Sequence, residues 1–247
     1  FIEEITKKLN QDKNIYFLSA DFGAAALDDL RERFPNNFFH CGISEQTMLD
    51  LAAGLALEGS QVFVYAMAPF LSLRAIEQTK CGAGLMNLPI CLLSVGIGLG
   101  YADAGPTHYS TEDFACFRAI AGSSIYTPAD VPSTKLIAED ILKHPKFSYI
   151  RLDRDVLPKI SPEITREDFN KGFKIFGKIE DKKIALISHG KMLHKCLEIY
   201  NNDPNRFFCV DIFRSKPFPV DLPKMVSLCK GIVVVDEQNP LGNLSSC

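Results

Sequence analysis

"NIYFLSADFGAAALDDLRERFPNNFFHCGISEQTMLDLAAGLALEGSQVFVYA" runs from Asn14 to Ala66, and its reading decides the fold. Its apolar runs are short: "NIYFLSA", "NFFHCG" and "QVFVYA". Between them lie two stretches of helical character, "AAALDDLRERF" and "SEQTMLDLAAGLALEG". Apolar runs of about 4–8 residues alternating with helices of about 10–15 predict βαβ units and a parallel sheet buried on both faces. The alternation continues. "PFLSLRAIEQTKCGAGL" is the next helix, and "LPICLLSV" the next strand, followed by a Gly-rich loop from Gly96 to Pro106. "EDFACFRAIAG" and "DVPSTKLIAEDILKH" are helical, and "SSIYTP" and "FSYIRL" close this part of the sheet. Ser44 is placed to cap the helix that carries Glu45, and Thr111 the helix after the Gly-rich loop.

After Leu152 the pattern lapses. "DRDVLPKISPEITREDFNKGFKIFG" is charged, contains prolines and lacks clear periodicity, as a linker does. A second α/β unit follows, with strands in "KIALISHG", "RFFCVDIF" and "GIVVVDE" and helices in "KMLHKCLEIYN" and "DLPKMVSLCK". The expected fold class is α/β, with two parallel-sheet, three-layer α/β/α domains. Residues 1–155 form the first, 156–172 the linker, and 173–247 a second, smaller domain that is incomplete by one or two elements.

Size and charge narrow the function. A chain of 247 residues with 47% hydrophobic and 23% charged residues has ample material for a globular core. A net charge of −3 without a basic run argues against nucleic acid or an anionic membrane surface as partner. No stretch approaches the roughly 20 unbroken apolar residues of a membrane span. "FIEEITKKLN" reads as an amphipathic helix and not as a signal peptide. The eight cysteines show no metal-ligand spacing and several fall in apolar patterns. They imply a reducing, cytoplasmic setting with neither a disulfide framework nor a zinc site.

Four features are candidates for chemistry. Glu45 opens a small, apolar helix. It is either an acid favoured there by the helix dipole, or a carboxylate stripped of water and so suited to exchanging a proton with a ring nitrogen. His108 lies in "GPTHYSTED", on the loop beyond a strand's carboxyl end, where open α/β sheets bind ligands. Phe70 stands at a strand-to-helix turn and serves either the core or a flat ring stacked on it. Arg151, in "YIRLDRD", either binds an anion through its planar fork or pairs with Asp153 or Asp155. "GIGLG" is not a dinucleotide fingerprint, because its glycines do not open a helix.

Taken in order, "GISEQ", an aromatic before "RAIEQ", "GPTH" with its following "ED", "TPAD" and "IRLDR" resemble the pyrimidine-binding domain of transketolase-type thiamine diphosphate enzymes. "ALISHGKMLHKCLEI" and "VVVDEQN" resemble their C-terminal domain. The resemblance implies that Glu45 hydrogen-bonds the aminopyrimidine ring nitrogen of the cofactor and activates it. It implies that Phe70 stacks on that ring and that His108 faces the cofactor's amino group and the substrate oxygens. Arg74 and Asp21 complete the implied cofactor-binding set, and Asp103, Ser94 and Arg151 join His108 as substrate contacts.

Two departures qualify the likeness. The family's "GDG" and downstream Asn, which hold the diphosphate and Mg2+, have no counterpart here, and "SADFG" lies in the wrong domain. The resemblance therefore implies a split transketolase, with a partner chain carrying the diphosphate-binding domain and the metal ligands in a homodimer or heterotetramer. Ser94 and Ala25 also stand where sugar-phosphate transketolases place acceptor-binding residues. The implied activity is transfer of a two-carbon ketol unit from a ketose to an aldehyde. A deoxyxylulose-phosphate-synthase-like enzyme, a 2-oxo-acid dehydrogenase β-subunit and a non-catalytic binding or regulatory module are the alternatives.

Overall fold

The computed structural model describes residues 1–20 and 24–247. Six strands in the first part of the chain are β1 (Ile15–Ser19), β2 (Phe38–His40), β3 (Gln61–Met67), β4 (Ile90–Val95), β5 (Ser124–Tyr126) and β6 (Ser148–Leu152). Five follow: β7 (Lys174–Phe176), β8 (Ile184–Ser188), β9 (Phe207–Asp211), β10 (Arg214–Lys216) and β11 (Gly231–Val234). The larger sheet has the order β10-β5-β6-β4-β3-β1-β2 and the smaller β11-β8-β9-β7. All pairings are parallel except β10 with β5 and β7 with β9. The α/β class and the mostly parallel sheets agree with the sequence.

Two apolar layers sandwich the larger sheet. On one face Ile5 and Leu9 of helix Ile2–Leu9 meet Ile137 and Ile141 of helix Val131–Lys143 over Phe17, Phe63 and Ile150. On the other, Met48, Leu49 and Ala52 of helix Glu45–Leu57 pack with Phe114 and Phe117 of helix Asp113–Ala119 over Val62, Val64 and Leu92. Alternate residues of each strand serve opposite layers, so both faces of the sequence runs had to be apolar. Phe117 and Tyr149 stack with centroids 3.6 Å apart, joining helix Asp113–Ala119 to β6.

Several local expectations change. Ser44 does occupy the N-cap position, but its hydroxyl donates back to Cys41 O at 2.5 Å instead of capping. Glu112, not Thr111, precedes helix Asp113–Ala119. The segment after Phe70 is not one regular helix. Wide π-type turns over Phe70–Arg74 and Thr79–Leu85 flank a short α-helical turn, Ile76–Gln78. The stretch read as linker contains helix Arg166–Lys171, started by a capping box in which Thr165 and Asp168 bond each other's backbone N–H. β10 was not expected: the chain leaves β9 and returns to the first sheet, pairing Arg214 with Tyr126. Its polar "RSK" carries no apolar signal, so only the tertiary pairing reveals it.

Candidate functional site

Three consecutive strand ends build one cavity. Ala20 follows β1, His40 ends β2, and Ala66 and Met67 end β3; these line a space of about 470 Å³ with Ile43, Glu45, Phe70 and His108. The rule that parallel sheets bind ligands beyond their carboxyl ends is thus met in detail. A groove of about 710 Å³ between helix Arg166–Lys171 and residues 217–225 is larger. It does not gather an acid, an imidazole and a half-buried aromatic ring at strand ends, so the smaller cavity is the better candidate.

Glu45 is 2% exposed. The burial expected of it is present, and so is a charged partner. Arg74 Nη1 donates to Glu45 Oε2 at 2.8 Å, reaching from the π-type turn 29 residues on. The same guanidinium lies over the Phe70 ring, 4.3 Å from its centroid. Arg74 itself does not line the cavity. It therefore grips the acid and the ring from behind, and Glu45 Oε1 accepts no hydrogen bond among the described residues. The irregular turn makes this possible, since π-type widening rotates Arg74 relative to Phe70.

His108 comes from the Gly-rich loop. Gly105, at φ +85°, breaks the chain between two short 3₁₀ turns, and His108 N donates to Gly105 O at 3.0 Å. The imidazole meets Phe70 edge-on with centroids 5.3 Å apart, and its Nδ1 lies 2.9 Å from Thr107 Oγ1. The structure thus brings together Glu45, Phe70, Arg74 and His108 from three separate segments of the sequence. Asp21 lies outside the described residues.

Ser94 and Arg151 are not brought to the cavity. Both are fully buried within strands of the larger sheet. Arg151 Nε donates to Asp113 Oδ2 at 2.8 Å and Nη2 to Asp113 Oδ1 at 3.2 Å. Nη1 donates to Thr127 Oγ1 at 3.1 Å and faces His189 Nε2 at 3.3 Å. Neither Asp153 nor Asp155, the partners expected of a paired Arg151, is the one it takes. Tyr149 OH donates to Asp113 Oδ2 at 2.9 Å and stands 2.9 Å from Ser94 Oγ. Burial pushes the Tyr149 hydroxyl well up, and the Asp113 charge adds to it. Burial opposes the charge on Arg151, but the Asp113 carboxylate holds its guanidinium above its ordinary range. Held by Asp113, Thr127 and His189, Arg151 ties helix Asp113–Ala119 and the second sheet to the first, sealed away from the cavity.

The exposed cation of this stretch is Arg154, two residues past the end of β6. Arg154 Nη1 donates to Asp103 Oδ1 at 2.6 Å and its guanidinium covers the Tyr101 ring, so it stands on the loop that carries His108. Asp103 is exposed there, apart from the cavity lining. The signal distinguishing the two arginines was position: a residue inside a doubly buried strand has no open side, and one beyond its carboxyl end does. His40, Ile43 and Met67 were also passed over, and strand ends mark them too. No group of three or more His, Cys, Asp or Glu side chains placed to hold a metal ion occurs among the described residues. Nor is any described helix long and apolar enough to cross a membrane.

Residues 1–159 match the transketolase pyrimidine-binding domain. The chain is 26% identical over 255 residues to one of the subunits of the apulose-4-phosphate transketolase of Phocaeicola vulgatus, covering 100% of this chain and 80% of that protein. It is 30% identical over 200 residues to 1-deoxy-D-xylulose-5-phosphate synthase of Clostridium perfringens, covering 80% of this chain and 31% of that enzyme. Among solved structures, a split-gene transketolase described as an inactive β4 tetramer superposes with a TM-score of 0.85 at 25% identity, covering 99% of this chain and 80% of that one. The cavity at the strand ends lies within the matched segment, and with that match over more than half of its length the chain belongs to the transketolase pyrimidine-binding domain family.

Proposed function

We propose that the chain is the pyrimidine-binding subunit of a split, thiamine diphosphate-dependent transketolase-type enzyme that moves a two-carbon ketol unit from a ketose to an aldehyde. The observation that carries this reading is the shared cavity of Glu45, Phe70 and His108, with one Glu45 oxygen held by Arg74 and the other without a hydrogen bond among the described residues. A buried carboxylate, a flat ring and an imidazole around about 470 Å³ suit one half of the cofactor, the aminopyrimidine. When bound, the cofactor supplies the carbon nucleophile that carries the transferred unit. Glu45 Oε1 holds the proton shared with the ring nitrogen, and Arg74 fixes the carboxylate's orientation. Phe70 presents its ring as a platform. His108 moves protons at the substrate oxygens and, with Ile43 and Met67, excludes water. Arg154, and not the sealed Arg151, is the cation we assign to an anionic substrate, with Asp103 as its resting partner.

The diphosphate and Mg2+ sites fall to a partner chain in this reading. Support comes from apolar side chains exposed along the helix that Glu45 opens and the segments beside it. Ile43 is 83% exposed, Leu85 68%, and Leu51, Leu57, Leu73 and Met86 are also open to solvent. They surround helix Glu45–Leu57 and the π-type turns packed on it. Single exposed apolar residues are ordinary, but several along one helix and the turns packed on it mark an interface. The likeness to one subunit of a multi-subunit transketolase and to a β4 tetramer agrees with assembly through such a face, as a homodimer or with the partner in a heterotetramer. We further propose that residues 1–155 and 173–247 are the two units of the chain, with 156–172 between them, and that it works in a reducing, cytoplasmic compartment.

Reconstitution with a partner that carries the diphosphate domain tests the reading. With thiamine diphosphate and Mg2+, a ketose donor and an aldehyde acceptor, the complex should turn over. Glu45→Gln should lower kcat by about 10²–10⁴ while the fold is kept. Full activity of that variant would refute the assignment. The 30% identity to a deoxyxylulose-phosphate synthase favours a second reading, in which pyruvate replaces the ketose as donor. A donor panel decides between them, and absence of thiamine diphosphate uptake by the complex would point to a non-catalytic module.

A further inference from the structure

The loop that carries His108 is closed by a two-way backbone bridge. Gly98 N donates to Ser110 O at 3.0 Å and Ser110 N to Gly98 O at 2.9 Å. His108 lies two residues before that closure. What holds the bridge from outside comes from the second sheet, just past β11. Gln238 is 7% exposed, and its Nε2 donates to the same Ser110 O at 3.2 Å. Asn239 N donates to Thr111 O at 2.9 Å. Glu237 packs so closely on Gly98 that a Cβ there would stand 2.8 Å from Glu237 Oε2. The segment is itself rooted. Asp236 Oδ2 accepts from Leu244 N at 3.1 Å, and Asp236 Oδ1 accepts from Gln238 N at 3.3 Å and faces His189 Nε2 at 3.3 Å.

We propose that Glu237–Asn239 is a brace by which the second sheet sets the place of His108, with Gln238 as the positioning residue. A carbonyl that accepts from both Gly98 and Gln238 has both lone pairs used, so the loop end has one hydrogen-bonded position. The brace touches neither the cavity nor Phe70, and acts through the loop. Its consequence is that residues beyond the matched family segment control a proton-transfer group inside it.

The test uses Gln238→Ala and Gln238→Met. The second variant keeps the bulk and removes the N–H donor, so it separates the hydrogen bond from packing. In the full chain, amide hydrogen exchange at Gly98 and Ser110 should speed up by roughly tenfold in both variants, with β1 and β3 unchanged, as local opening requires. In the reconstituted complex kcat should fall about tenfold while the KM for thiamine diphosphate stays within about twofold, because Glu45 and Phe70 are untouched. The kinetic arm rests on the function proposed above and the exchange arm does not. An inactive wild-type complex with faster exchange in the variants therefore sinks the functional reading and leaves the brace standing. Wild-type exchange at Gly98 and Ser110, a uniform rise across the sheet, or an unchanged kcat with a loosened loop each overturns the proposal.

Discussion

Arg151→Met is the most informative single change, because two readings of Arg151 predict opposite results. If Arg151 met a substrate anion, its loss would raise KM and leave the fold alone. The structure instead pairs it with Asp113, with both side chains at 0% exposure. Breaking a buried pair by removing one partner costs about 3–5 kcal/mol, since the surviving charge is left uncompensated. Asp113 would keep one donor, the Tyr149 hydroxyl, and Thr127 would lose its donor. Against a total stability of about 5–15 kcal/mol this is a large share. At about 2–4 °C per kcal/mol for a chain of this size, the melting temperature should fall by about 6–20 °C. The urea midpoint should drop by about 1 M or more with the slope unchanged. The double variant Arg151→Met/Asp113→Leu should recover at least about half of the loss, because no buried charge is then stranded. A single variant within about 1 kcal/mol of wild type, or a double variant as weak as the two losses added, would refute the reasoning.

Three further outcomes are expected. Burial pushes the Asp236 carboxyl up, but the His189 hydrogen bond and charge and the Arg151 charge outweigh it and hold the group well below the usual carboxylate range. A depressed carboxylate stabilises above its unfolded value of about 3.9 and loses that contribution as the pH falls, so acid unfolding below about pH 4 should be shallower in Asp236→Asn. Equilibrium urea titrations from pH 7 down to about 2 measure this. Burial raises the Cys196 thiol to about 11 and the Cys209 thiol to about 12, and lifts buried Cys91 well up. Native protein at pH 8 should therefore label at exposed Cys81 and Cys247, spare Cys91, Cys196 and Cys209, and label at all eight cysteines in urea. Gly96 sits at φ +76°, and a Cβ there would overlap the Tyr101 ring. Gly96→Ala should cost about 1–3 kcal/mol by thermal melt and displace Tyr101 from beneath Arg154.

The alternation of short apolar runs with helices determined by itself that the chain would build parallel sheets, because a strand buried on both faces has no polar side to spare. It also determined that Glu45, Phe70 and His108 would stand at strand ends, since each follows an apolar run at the turn into the next element. Spacing along the chain could not decide what those residues touch. Arg74 neutralises Glu45 only because a widened turn after β3 swings it across to helix Glu45–Leu57. Arg151 and Arg154 are three residues apart, yet one is sealed inside the sheet and the other stands on the loop. Asp113, His189 and Asp236 meet around Arg151 from three separate elements, and β10 joins the first sheet from within the second half. Periodicity is a local property that a single burial pattern imposes on each segment. Partnership between charges is a tertiary one, set by where the sheets pack and which side chains that packing deprives of water.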